Sequence, residues 1–477
     1  MMTLPASKGL AQQVRVGEPD PSLTRHAGLT AVDLMCRKLD VGALLGAHIA
    51  PVEQRARGHE AHEVLLGVAC AQLTGQDFMT GLDALRADPV VGLIAEQVGV
   101  LPSRTFAGIA ARFSGAQFAG IEAGLAAITR RWIAVLPAAS RSKLLFQRPT
   151  IDIDATDVEV HGPTKKGVAW TYAGQRAGRV HAGLGAEAGL ALAADLTAGN
   201  VDGRPGAPGL LARALAGLPP QVTGRPRLRA DAGYFDGALA HAADELGVDW
   251  AIAAKRTSRA WTAYTQIPDS AWVSARNMRG AQVAVIDYLP GGWPADCYTI
   301  VRRVRIDATT ISADGRSRRR RTMHPDQLAP ALNGGADHAY AVSFIVTNLP
   351  TDTPADVIAV QAWFRGRTRI EDLFRDGKHG AGMNHLPSAD PIINAVWTWG
   401  ALIATNLAAM LQTLTSIDDP LRGGTGRARP KRLPEHLICL PARIVRHARG
   451  LTLRPAPGPQ LLTHALARLR ALPAPVG

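Results

Sequence analysis

The sequence predicts an α/β core interrupted by a β-rich insertion and flanked by helical N-terminal and C-terminal regions. Three observations carry this. Apolar residues recur every three or four positions from residue 22 to about 140, the period of helices. At Pro149 the period switches to two, with Ile151 and Ile153 alternating against Asp152 and Asp154 in "TIDIDATD". From there on, strand-like and helix-like runs alternate, which indicates a sheet layered with helices through crossover connections.

The N-terminal helices read from "HAGLTAVDLMCRKLDVGALLGAHI", "AHEVLLGVACAQLTG" and "LDALRADPVVGLIAEQVG". "LPSRTFAGIAARFSG" (101–115) begins on a Pro-Ser cap and continues as a helix bearing Arg104, Thr105 and Arg112. In a basic region it fits a helix-turn-helix recognition helix, and a plain bundle helix fits equally well. After the first strand come "VAWTYAGQ", "RVHAGLG" and "GLALAADLTAGN" as strand-like segments. A helix, "APGLLARALAGL", leads to the strand "RLRADAGYF"; a helix capped by Asp236 leads to the strand "VDWAIAAKR". Between Arg256 and about Ala339 the pattern is β again, clearest in "AQVAVIDYL" and "CYTIVRRVRI", with the run "GRSRRRR" (315–321) in a loop. "AYAVSFIVTNL" is a strand, and "TDTPADVIAVQAWFRGR" opens a helix on a Thr353 cap and Pro354 at its first position. The last eighty or so residues read as helical, ending in the Pro-rich "LPAPVG". The divisions are 1–145, helical, for DNA binding or dimerisation; 146–256, first part of the core; 257–340, the insertion; 341–385, second part of the core; and 386–477, helical. Residues 146 to about 256 and 340 to 385 are expected to form one mixed sheet.

Bulk composition narrows the function. At 477 residues with 47% hydrophobic content, the chain has room for about three domains with proper cores and is not a disordered scaffold. Lys and Arg number 53 against 40 Asp and Glu, a net charge of +13 that suits a polyanionic partner. Cys36, Cys70, Cys297 and Cys439 form no C-x-x-C pair, so neither a disulfide framework nor a structural zinc site is expected, which fits a reducing cytosol. The first twenty residues contain no apolar run of the secretory type. The uncharged stretch Ile392 to Ile417 has the length of a membrane span, but its Asn394, Asn406, Gln412 and threonines read better as a buried core helix.

Three carboxylates stand out. Asp154 ends one strand motif and Asp231 another, each followed by small residues, Ala155 and Ala232-Gly233. Ligands collect outside the carboxyl ends of strands in α/β sheets, and a core-forming strand gains nothing from an unpaired aspartate. The third is Glu371, in "WFRGRTRIEDLFRDGK" (363–378), where helical spacing puts Arg367, Glu371, Phe374 and Lys378 on one face. Carboxylates from three elements suit Mg²⁺, which takes oxygen ligands and keeps several waters. Two such ions roughly 3.5–4 Å apart can clamp the attacking and leaving oxygens of a phosphoryl displacement. Arg367 and Lys378 are placed to neutralise phosphates beside them. A solvated helix with i,i+4 ion pairs is the plain alternative.

The order Asp154, Asp231, Glu371 resembles the DDE triad of bacterial insertion-sequence transposases with an RNase H-like catalytic core. The helix resembles that family's signature Tyr-x2-Arg-x3-Glu-x6-Lys at Phe364, Arg367, Glu371 and Lys378, with Phe in place of Tyr. "DIDATDVEVHG" (152–162) and "RADAGYF" (229–235) resemble the two aspartate motifs of the insertion-sequence-four clan, closest to the group named for insertion sequence thirteen-eighty; "LPSRT" and "LTAGN" are weaker counterparts. The resemblance covers most of the chain. It implies a DNA transposase that binds its element's ends, cleaves the DNA and joins the 3′ ends to target DNA with two Mg²⁺ ions, Mn²⁺ substituting. Its implied partners are double-stranded DNA of ends and target and a second copy in a homodimer assembled on DNA, with no membrane; its implied location is the bacterial cytoplasm. Asp154, Asp231 and Glu371 are then catalytic and metal-binding, and Arg367, Lys378 and Phe364 touch DNA.

Other residues are read beside these. Asp152 shares a strand face with Asp154, and Asp154 is preferred because the family motif puts its aspartate before a small residue and threonine. Asp157 is read as a turn residue, and Asp372 and Asp376 as solvated. His161 and His181 are read as polar strand ends. Arg104 and the loop arginines Arg318 and Arg319 are expected to meet DNA backbone. Trp170, Trp261 and Trp293 are read as core. Two other functions remain in view: a catalytically inactive transposase-derived DNA-binding protein, and a metal-dependent phosphoester hydrolase.

Overall fold

The computed structural model describes residues 15–52, 58–96, 99–146, 148–416, 434–448, 450–458 and 461–473. The reading of residues 1–14 as free of a leader, and that of the tail's last four residues, lie outside these.

Helices of the N-terminal region pack against later elements of the chain, among them α1 (Ala61–Leu73), α2 (Ser103–Ala110) and α3 (Gly115–Val135). Helix α2 buries Phe106 and Ile109 against the helical core while Arg104 stays exposed. The central sheet begins with β1 (Thr150–Glu159), β2 (Arg176–Gly185) and β3 (Leu190–Ala198). It continues through α4 (Ala207–Ala216), β4 (Arg227–Ala230), α5 (Gly237–Glu245) and β5 (Asp249–Ala254). In space these strands lie in the order β3-β2-β1-β4-β5, with β1, β4 and β5 parallel and β2 and β3 antiparallel. The parallel pairs need crossovers, and α4 and α5 provide them.

The β-rich insertion is not a layer of its own. Its strands β6 (Ala281–Ile286) and β7 (Tyr298–Asp307) join β8 (His338–Thr347), and β8 pairs with β5 through Phe344 and Ala254, so all of them extend the same ten-stranded sheet. After β8 come α6 (Pro354–Phe364), α7 (Thr368–Gly380) and α8 (Pro391–Thr415).

Alternation along β1 divides the molecule. Ile151 and Ile153 enter a core with α4 and α5, whereas Val158 and Val160 enter one shared with Ile370, Leu373 and Phe374 of α7 and with α8. Asp152 and Asp154 have the parity of Val158, so they face α7. Helix α8 is long and apolar enough to cross a membrane, but most of its apolar stretch is buried inside the protein. The Asn406 amide on it both accepts from the Ala191 N–H (2.8 Å) and donates to the Ala191 carbonyl (2.9 Å). Buried polar groups matched in this way belong to a core helix.

Two expectations fail here. The C-terminal region is not helical throughout: Ala442–His447 and Gly450–Pro455 pair as a hairpin, with Leu23–Thr24 added at its edge. "ARIVRH" had too few residues to display a strand period, and its edge partner comes from the other end of the chain. Trp170 is not core but 68% exposed, because it sits on a two-residue edge strand, Ala169–Trp170. Trp293 is buried and Trp261 packs against the α4/α5 core, as read.

Candidate active site

Strands β1 and β4 place the first two carboxylates. Their parallel pairing ends at Ile153 and Ala230, and one step further along each strand stand Asp154 and Asp231. Adjacent strands lie about 4.8 Å apart, so the two aspartates stand side by side where that pairing stops, although Asp154 is not the strand end expected, since β1 runs on to Glu159. Asp231 then caps a short 3₁₀ turn, Ala232–Tyr234, its carboxylate accepting the Gly233 N–H at 2.8 Å.

The preceding pair in the same register is Asp152 and Arg229. Asp152 is 0% exposed and receives the Arg229 guanidinium at 2.6 and 2.9 Å. Burial, outweighing that attraction, pushes its carboxyl up to about 6. Sequence reasoning missed Arg229. The signal was present: Arg229 precedes Asp231 by two residues, as Asp152 precedes Asp154, so two parallel strands in register bring them together.

Glu371 comes from α7, in its first turn, where the partial positive charge of a helix N-terminus favours a carboxylate. The expected continuous helix from Thr353 to Lys378 is broken by a 3₁₀ turn at Arg365–Arg367. Arg229 explains the break. Its Nη1 donates to the Trp363 carbonyl at 2.5 Å, and a Cβ on Gly366 would lie 2.5 Å from that same nitrogen.

The turn presents Arg367 to the carboxylates. Its Nη1 meets Asp154 Oδ2 at 2.5 Å and its Nη2 lies 3.6 Å from Glu371 Oε1. Burial works against the Arg367 charge, and Asp154, Asp231 and Glu371 together outweigh it and hold its pKa above the ordinary value. Burial first, then the neighbouring Asp231 charge, push the Asp154 carboxyl up to about 6 against the pull of Arg367. Glu371 remains largely exposed.

The structure thus sets Asp154 beside Asp231, and links it to Glu371 through Arg367. Among the described residues no three His, Cys, Asp or Glu side chains are gathered closely enough to hold a metal ion. Asp154 and Asp231 fit a hard divalent cation: both are oxygen donors, and the repulsion that raises Asp154 is what such a cation relieves. With Glu371 the fit is incomplete, since the Arg367 guanidinium stands between it and Asp154.

The other predicted residues lie around this centre or away from it. Lys378 donates to the Asp157 carbonyl at 2.6 Å, and burial lowers its pKa. Asp157 is a strand residue rather than a turn residue, paired with Arg179 at 2.6 and 3.1 Å. Phe364 is half-buried at the end of α6. Arg104, Arg318 and Arg319 are exposed on other elements. Asp372 and Asp376 pair with Arg375 on the outer side of α7. His161 is exposed, whereas His181 is buried, with Nδ1 2.7 Å from the Tyr234 hydroxyl and Nε2 3.1 Å from Thr197 Oγ1. Burial, helped by Arg179, lowers the His181 pKa.

A family model described as "Transposase DDE domain group 1" matches residues 7–474. No curated protein matches the chain. Among solved structures, the cryo-EM structure of the piggyBac transposase synaptic complex with hairpin DNA is similar at 11% identity and a TM-score of 0.37, with 86% of this chain and 79% of that chain covered.

Proposed function

The chain belongs to the family "Transposase DDE domain group 1", and on that premise we propose that it binds the ends of its insertion sequence, cleaves the DNA and joins the 3′ ends to target DNA. The observation that carries this reading is the placement of Asp154 and Asp231 side by side where the parallel pairing of β1 with β4 stops, with the Glu371 helix linked to Asp154 through Arg367. The strand order β3-β2-β1-β4-β5 supports an RNase H-like core. The motifs around Asp154, Asp231 and Glu371 favour the insertion-sequence-four clan and its thirteen-eighty group, acting in the bacterial cytoplasm as a homodimer on DNA.

In this reading Asp154 and Asp231 would hold Mg²⁺, two ions in all, with Mn²⁺ able to substitute, and Glu371 would join them once the Arg367 guanidinium moves aside. When bound, the ions supply charge at the attacking and leaving oxygens of the displaced phosphoryl group. The remaining work falls to the chain. Asp152 and Arg229 brace β1 against β4 beneath the carboxylates. Arg367, half-buried between Asp154 and Glu371, and Lys378, further along β1, put two positive charges where a phosphate backbone passes. Phe364, lacking the hydroxyl of the family's Tyr, offers an apolar contact to a base or sugar.

The test is cleavage of DNA carrying the cognate ends, with Mg²⁺, with Mn²⁺ and with EDTA, by the wild type and by Asp154→Ala, Asp231→Ala and Glu371→Ala. Each variant should lose cleavage and joining but keep most end binding, because basic contacts to phosphates dominate DNA affinity. Variants that cut at near wild-type rates would refute the assignment. A wild type that binds the ends and cuts in none of the conditions would be an inactive DNA-binding relative.

A further inference from the structure

Beyond Glu159 the edge of the sheet ends in a hairpin carrying two solvent-facing rings. Trp170 is 68% exposed and Tyr172 fully so, while Thr171 between them is buried. That alternation turns both rings outward together. The hairpin is held firmly. Ala169 and Trp170 pair with Ala177 and Arg176; the Thr171 N–H donates to the Gln175 carbonyl at 2.7 Å, and Gly174 takes the left-handed turn position at φ +79°. The Thr171 methyl packs on Gly199, at the end of β3. At its base, Arg176 donates to the carbonyls of Pro163 (3.2 Å) and Lys165 (2.8 Å), and the Lys166 N–H donates to the Ala389 carbonyl at 3.0 Å. A rigid support is what a stacking surface requires, since little ordering remains to be done on binding.

The register fixes where this hairpin stands relative to the carboxylates. Glu159 pairs with Ala177, which pairs with Ala169, so Trp170 lies six residues past Asp154 and two strands across, with Tyr172 further out. At about 3.3 Å per residue and about 4.8 Å per strand, that is about 22 Å for Trp170. Along a nucleic-acid strand rising about 3.4 Å per nucleotide, it is about six nucleotides. Lys378 lies along the way, bonded to the Asp157 carbonyl, and the Lys166 ammonium is exposed beside the rings.

We propose that Trp170 and Tyr172 form a platform on which unpaired bases of the DNA stack, about six nucleotides from the cleaved phosphate. This rests on the transposase reading for the identity of the strand. Paired bases offer only their edges in the grooves; a free ring face is available where the strands are apart, and aromatic platforms accept any base there. A second copy of the chain is a poorer occupant. Two aromatic side chains bury about 150–250 Å² each, well short of the about 800 Å² per partner of a stable interface. The net charge of +13 also favours a polyanion.

The test uses the full-length protein in EDTA, where no cleavage occurs, and fluorescence anisotropy with two probes: a labelled blunt duplex and the same duplex bearing a single-stranded oligothymidine arm. The Trp170→Ala/Tyr172→Ala variant should bind the armed probe about tenfold more weakly and the blunt probe unchanged, and Trp170→Phe/Tyr172→Phe should retain wild-type binding. Equal loss on both probes, no loss on either, or Phe variants as damaged as the Ala variants would overturn the platform. So would a shift of the Ala variant from dimer to monomer in sedimentation with arm binding intact. The transposase reading fails separately, by absence of cleavage of the cognate ends with Mg²⁺ or Mn²⁺.

Discussion

Replacing Arg229 by Met should expose how strongly the floor of the site is held by one buried ion pair. Asp152 has no solvent contact, Arg229 is 4% exposed, and two hydrogen bonds of 2.6 and 2.9 Å join them. Arg229→Met removes the guanidinium and leaves the carboxylate in an apolar layer, which costs about 3–5 kcal/mol when a buried pair is broken from one side. The loss should depend on pH, and its sign comes from the direction of the shift. Burial already raises the Asp152 carboxyl to about 6 with Arg229 present. A group raised in the folded state contributes stability that is complete below its ordinary value of 3.8 and is lost as pH rises through the folded value. Without Arg229 the carboxyl rises further, so the deficit should be largest near pH 8 and shrink towards about pH 5, where Asp152 takes up a proton. Adding Asp152→Leu to Arg229→Met removes both charges and should bring stability back to within about 1 kcal/mol of the wild type. Urea unfolding followed by circular dichroism at both pH values measures all four corners of the cycle. A single variant within about 1 kcal/mol of the wild type near pH 8, or a double variant as unstable as the single one, would refute the reasoning.

Three other outcomes are expected. Arg367→Ala and Lys378→Ala should each weaken cleavage and lower the log–log salt slope of end binding by about 0.9, one phosphate's worth; if only thermal stability changes, their bonds to Asp154 and to the Asp157 carbonyl are purely structural. Asn406→Leu strands both backbone groups of Ala191 in the core and should cost about 2–4 kcal/mol, with faster hydrogen exchange at the Ala191 amide. Gly28→Ala would drive a Cβ into the Leu437 carbonyl oxygen, separating the helix Leu29–Leu39 from the C-terminal segment, and should lower stability by about 3 kcal/mol in thermal unfolding.

Local signals in the sequence determined much of this protein. A period of two marked β1, and cap residues marked the starts of α5 and α6, but the small residue after Asp154 marked no strand end, since β1 runs on to Glu159. The carboxylates, with Arg367 and Lys378 spaced from Glu371 by helical turns, were legible for the same reason: helical and strand spacings are properties of a dozen residues or fewer. The tertiary structure alone decided what required two distant segments to meet. That Asp152 is bound to Arg229 comes from the parallel register of β1 with β4, two segments distant in the chain. The 3₁₀ turn before Thr368 exists because Arg229 takes the Trp363 carbonyl and occupies the space above Gly366, against a helix period that the sequence carries without interruption. The C-terminal hairpin is edged by Leu23–Thr24, and Trp170 is exposed by the edge on which its short strand falls. Pairing and burial depend on which segment arrives as a neighbour. Only the assembled sheet supplies that.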